Sequence, residues 1–121
     1  MPEKGRSAKP GGSGEDEAAL YLEKKGLEII SRNFRSRGGE VDIIAQDEQT
    51  LVFIEVKAWS ALGIEALEYG IDQKKQRRII ETAKYFLAVH RKYRYMAIRF
   101  DVIFITPQGI NHLESAFMER V

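Results

Sequence analysis

Hydrophobic and polar positions alternate along this chain in two rhythms. Over residues 14–25 the period is helical: Glu15 aligns with Ala18, Ala19 and Leu22 on one stripe, and Asp16 falls off it. Ser13 with Asp16 three residues on fits an N-cap, acids at 15, 16 and 17 suit the positive helix end, and Gly26 stops the helix. The period then drops to two. Strands are predicted at 27–34, 40–45 and 51–58, separated by a Gly38–Gly39 turn and a polar loop from Gln46 to Thr50. Residues 58–71 read as a loop with a helical turn, and a second helix is predicted over 72–90. Strands at 98–105 and 110–113 follow, joined by the turn Pro107–Gln108–Gly109. The order α-β-β-β-α-β-β predicts an α/β domain with helices packed on a sheet.

Composition narrows the class. The 121 residues are 44% hydrophobic and 31% charged, which supports one folded core. Residues 1–13, rich in Gly, Pro, Ser and Lys, read as a flexible tail before a single domain over 14–121. With no cysteine, a disulfide framework, a thiolate nucleophile and a cysteine-held zinc are excluded. The first residues have no apolar segment of the secretory kind, and no apolar run approaches the roughly 18 residues of a membrane span. A cytoplasmic protein with no membrane partner is expected.

The net charge of +1 hides an uneven distribution. Gln73 to Arg94 holds eight Lys and Arg against the single acid Glu81, so that segment is +7 and the remainder −6. A basic face beside an acidic pocket can hold a polyanion and a cation together. A solvated charged helix is the bland alternative.

The central hairpin carries the candidate chemistry. Glu40 and Asp42 share one strand face, as do Glu55 and Lys57. With residues 47–50 as the loop, opposed positions sum to 97 and Asp42 lies across from Glu55; a slip of one residue would separate them. Carboxylates facing each other repel, and burying one unpaired costs roughly 3–5 kcal/mol. Glu15, on the inward stripe of the first helix, is expected to join them. Three negative charges against Lys57 leave a deficit of two, which a hard divalent cation such as Mg²⁺ or Mn²⁺ would fill. Such a group can polarise a phosphoryl oxygen and activate water, with a lysine beside it. A surface hairpin with ordinary Glu–Lys bridges explains the same spacing.

Taken together, Gly14-Glu15, Gly39-Glu40-Val41-Asp42-Ile43-Ile44 and Phe53-Ile54-Glu55-Val56-Lys57 resemble the PD-(D/E)xK nuclease superfamily. More narrowly the chain resembles the YraN-like bacterial proteins, similar to archaeal Holliday junction resolvases, from about Gly14 to Glu119. Gln73-Lys74-Lys75-Gln76-Arg77-Arg78 and Phe100-Asp101-Val102 belong to the same match. The resemblance implies a restriction-endonuclease-like mixed sheet flanked by helices and Mg²⁺-dependent phosphodiester hydrolysis. It implies Asp42 and Glu55 as metal ligands, Lys57 as the catalytic lysine and Glu15 as the first-helix acid. Val41 replaces the usual proline, and Ala58-Trp59-Ser60 replaces the arginine that often follows the lysine. By analogy with resolvases, a homodimer acting on branched DNA is expected.

Around this set, Gln73 and Gln76 continue the stripe Ile80, Ala83, Leu87 and are expected to face the sheet near the acids. Lys74, Lys75, Arg77 and Arg78 are expected on or beside the exposed face, able to contact phosphates, with Arg32, Arg35 and Arg37 extending that surface. Asp101, within an apolar strand, is expected to be a structural ion-pair partner. His90 and His112 lack a partner at metal-ligand spacing. Trp59 with Leu62, and Tyr85, Tyr93 and Tyr95, suit core packing or base stacking. Three functions compete: a metal-dependent DNA endonuclease, a non-catalytic nucleic-acid-binding module, and a protein-interaction subunit with a salt-bridge network.

Overall fold

The computed structural model describes residues 12–58 and 71–118, with side chains from Gly14. Helix α1, Gly12–Lys24, begins inside the expected tail, one residue before the expected cap. Ser13 therefore lies within the helix rather than capping it. Gly26, at φ 99°, ends it in a left-handed conformation that costs glycine little, and Leu27 N–H closes back onto Leu22 O at 3.0 Å.

Strands β1 (Glu28–Ser36), β2 (Gly39–Asp47) and β3 (Thr50–Ala58) form an antiparallel meander. Both connections are two-residue turns, Arg37–Gly38 and Glu48–Gln49. The first corrects the expected Gly38–Gly39 turn, since Gly39 is the first residue of β2. Its lack of a side chain serves packing: a Cβ there would lie 3.2 Å from Arg78 Cβ. The β2–β3 register is the expected one, with Ile43 opposite Ile54, Ile44 opposite Phe53 and Asp47 opposite Thr50.

Helix α2, Gln73–Val89, is capped by Asp72, whose Oδ1 accepts Lys75 N–H at 2.8 Å. It returns the chain to β4 (Ala97–Thr106), parallel to β3, and β5 (Gly109–Phe117) pairs antiparallel at the edge. The mixed sheet has the order β1-β2-β3-β4-β5. All seven predicted elements are present, most of them one to four residues longer than their patterns suggest.

Helices cover both faces. Leu51 and Phe53 of β3 pack with Ile79, Ile80, Ala83 and Phe86 of α2. Val52 and Ile54, their alternates, pack with Ala18, Ala19 and Leu22 of α1. Strand β2 departs from this alternation. Val41 and Ile44 both join the α2 side, while Ile43 and Ala45 join the α1 side, so the strand changes phase at Asp42. Asn33, opposite that point on β1, has φ 55°. Among the described residues no helix is long and apolar enough to cross a membrane. Trp59, Leu62, the 1–11 part of the tail and most of the 58–71 loop lie outside the described residues.

Candidate metal centre

The phase change in β2 opens the sheet where the acids stand. Beyond the last paired residues, Ile43 and Ile54, the Asp42 carboxylate takes over as the β3 partner: its Oδ2 accepts Val56 N–H at 2.8 Å. The register carried one step further sets Asp42 beside Glu55, as expected. Asp42 is half-buried and Glu55 is 5% exposed. Burial, with Glu55 next in importance and Glu40 adding to it, pushes the Asp42 carboxyl up to about 7. The Val56 N–H and the Lys75 ammonium pull the other way and are outweighed. A site that raises a carboxyl this far favours either a proton or a cation.

The cation nearest Glu55 is not the one the strand pattern suggests. Lys75 Nζ lies 2.8 Å from Glu55 Oε2, although Lys75 belongs to the first turn of α2. Burial pulls its ammonium down, but the Glu55 hydrogen bond and charge, with Asp42 and Asp72, hold it above the ordinary lysine value. Lys75 thus stands beside the exposed face, its side chain 44% exposed, but with its ammonium engaged by Glu55. A signal for it existed in the sequence: Lys75 extends the buried stripe Ile79, Thr82, Phe86 by one turn. Lys57 follows Glu55 on the same strand face and is half-buried, and among the described residues none forms an ion pair with it. Glu40 pairs with Arg35 at 3.5 Å.

Glu15 stands behind this pair rather than within it. Its Oε1 accepts Asn33 Nδ2 at 2.9 Å and lies 3.9 Å from Arg32 Nη2, and Asn33 is the β1 residue facing Asp42. Among the described residues no group of three acids or histidines is assembled to cage a metal. Two hard carboxylates, one fixed by a backbone N–H, nevertheless suit Mg²⁺ or Mn²⁺. Such ions are commonly held by one or two carboxylates, water and substrate phosphate.

The basic residues divide. Lys74, Arg77 and Arg78 are exposed on α2, as expected. Gln73 is also exposed, which corrects its expected inward position; Gln76 is half-buried and donates to Ile71 O at 3.1 Å, a helix-end bond. Arg35 and Arg37 line a groove of about 700 Å³ with Ser36, Gly38, Glu81 and Tyr85. Arg32 turns to the opposite face, where it pairs with Asp16 at 2.7 Å, so it does not extend that surface. Tyr93 is buried against Phe86, and Tyr95 is exposed beneath Arg94.

Asp101 has the structural role expected of it. It is fully buried, accepts both Arg99 Nε and Nη2 at 3.0 Å and Ser115 N–H at 3.0 Å, and meets His112 Nε2 at 2.8 Å. Burial alone would raise its carboxyl, but the bonds from His112, Arg99 and Ser115 hold it below the ordinary range. His112 Nδ1 meets the Tyr21 hydroxyl at 3.0 Å, tying β5 to α1. Spacing could not reveal this network, because the partners come from three elements.

Residues 14–105 match the family described as Uncharacterised protein family UPF0102. The UPF0102 protein of Persephonella marina is 45% identical over 107 residues, covering 88% of this chain and 91% of its own. That of Treponema denticola is 47% identical over 121 residues, covering 88% and 93%. That of Treponema pallidum (strain Nichols) is 43% identical over 118 residues, covering 92% and 94%. With matches that span most of its length and most of theirs, this chain belongs to the UPF0102 family, the YraN-like proteins.

Proposed function

We propose that this UPF0102 protein is a divalent-metal-dependent endonuclease of the PD-(D/E)xK type that hydrolyses phosphodiester bonds in DNA. The observation that carries the reading is the opening of the sheet at Asp42. Two carboxylates from different strands are held together there, one of them buried, with Lys57 two residues along the same face. Asp42 and Glu55 would hold Mg²⁺ or Mn²⁺, and the Val56 N–H fixes the Asp42 carboxylate in place for it. A bound cation of this kind supplies Lewis-acid polarisation of a phosphoryl oxygen. Lys57 orients the attacking water and offsets charge building on phosphorus. Glu15 supports the site through Asn33. Gln73, Lys74, Arg77 and Arg78 on α2, with Arg35 and Arg37 in the groove, supply contacts to phosphates that read charge rather than sequence.

In this reading the protein works in the cytoplasm, and a homodimer suits branched DNA because a junction offers two symmetric cuts. A second reading, a nucleic-acid-binding module that does not cleave, is favoured by one observation: Glu55 is already engaged by Lys75. The test is a cleavage assay on linear, single-stranded, flapped and four-way-junction DNA with Mg²⁺, Mn²⁺ or chelator. Cleavage that requires metal and is lost in Lys57→Ala and Asp42→Asn is the expected result. DNA binding without cleavage on any substrate, by folded protein stabilised by metal, would select the binding module.

A further inference from the structure

Lys75 is the one cation that enters the acid site from outside the hairpin among the described residues. Its Nζ meets Glu55 Oε2 at 2.8 Å, and its charge acts on Asp42 as well, so it lies where two carboxylates are drawn toward a single positive centre. The Glu55 side chain is 6% exposed and that of Lys75 44%, so the bond joins a fixed acid to a lysine with a path to solvent. The position is a demanding one for a lysine. The positive helix end disfavours a cation there, and the first turn of α2 carries no acid of its own. Among the described residues, Asp72 at the cap and the two site acids offset it.

We infer that Lys75 is a stand-in cation: it neutralises Glu55 in the metal-free protein, yields that carboxylate to the divalent ion, and then turns its ammonium to a substrate phosphate. The inference rests on the metal reading above and adds a residue to it. One divalent charge cannot share Glu55 with an ammonium at 2.8 Å without losing attraction, so the two compete. The long lysine stem lets the displaced ammonium swing while its backbone stays in the helix. Once released, Lys75 shares its turn with Lys74 and precedes Arg77 and Arg78, so it completes a cationic helix end facing a polyanion.

The experiment measures Mn²⁺ alone, by titration calorimetry or by the magnetic resonance signal of the free ion. It compares the parent, Lys75→Met, Lys75→Gln, and Lys74→Met as a control that removes the same charge from the exposed side of the turn. Losing a competing charge-assisted bond should tighten Mn²⁺ binding about five- to tenfold in both Lys75 variants, and less than about twofold in Lys74→Met. DNA affinity is then read without cleavage, in Ca²⁺ and in chelator. The Lys75 variants should lose affinity in Ca²⁺ and match the parent in chelator, where the parent's ammonium is still held by Glu55. Mn²⁺ binding that is unchanged or weaker in folded Lys75 variants, or an equal loss of DNA affinity in both conditions, would overturn the inference while leaving the metal site standing. A parent chain that binds no Mn²⁺ would overturn both readings.

Discussion

Replacing Asp42 by Asn should stabilise the metal-free protein at mildly alkaline pH and leave it nearly unchanged in acid. The Asp42 carboxyl is pushed up to about 7 by burial and by Glu55. A carboxyl whose folded value lies above its unfolded one binds its proton more tightly when folded, so stability falls as pH rises from about 4 to about 7. A rise of about three pH units at about 1.4 kcal/mol each corresponds to roughly 4 kcal/mol across the whole window. About 3 kcal/mol of that falls between about pH 5 and about pH 8, a large part of a total stability of about 5–15 kcal/mol. Asn keeps the shape and can still accept Val56 N–H, and the value of about 7 already includes the pull of that bond on the charged form. The net expectation is that the variant gains about 3 kcal/mol on the parent between about pH 5 and about pH 8. Urea unfolding of parent and variant across this pH range measures it, and their difference cancels the titrating groups that do not interact with Asp42. Adding Mn²⁺ near pH 8 should restore the parent by mass action and leave the variant unmoved. Parallel pH profiles for the two proteins, or a variant destabilised equally at both ends, would refute the reasoning.

Three further outcomes follow from the geometry. Asp101→Asn should cost about 3–5 kcal/mol in urea unfolding, since it leaves the half-buried Arg99 guanidinium and the buried His112 ring without their anion. The parent's Asp101 is held below the ordinary carboxylate range, so its contribution is present above about pH 4 and lost as pH falls through the folded value; the variant's acid limb should be flatter. Gly39→Ala should cost about 1–3 kcal/mol because its methyl meets Arg78 Cβ at 3.2 Å, whereas Gly38→Ala should stay within about 0.5 kcal/mol. Arg35→Ala with Arg37→Ala should make DNA binding less salt-dependent, the slope falling by roughly one for each phosphate no longer neutralised, and Arg32→Ala, on the other face, should not.

The order of elements and the facing of Asp42 and Glu55 were legible from the sequence because both rest on local rules. Side chains alternate along a strand, and a short polar turn leaves one register that buries Ile43, Ile44, Phe53 and Ile54 together. The inward stripe of α2 was legible too, though its rotation was not. Ile80, Ala83 and Leu87 suggest one facing and Ile79, Thr82 and Phe86 another, and only the second brings Lys75 inward. Phe86 settles the matter by packing between Phe53 of the sheet and Tyr93, a constraint set by volumes from distant parts of the chain.

The rest depended on tertiary structure. The change of phase in β2 at Asp42 falls opposite Asn33 of β1, which adopts φ 55°, and no two-residue rhythm contains it. Arg32 pairs with Asp16 of α1 while Arg35 and Arg37 lie beside α2, so a run of arginines that looks uniform along the chain is divided. Glu15 likewise meets Asn33 of β1, a partner from another element that no local rhythm names. Local periodicity thus decided which residues share a face. Which face meets which charge was decided by long-range packing, because an ammonium and a carboxylate pair only where the core sets their elements within a few ångströms.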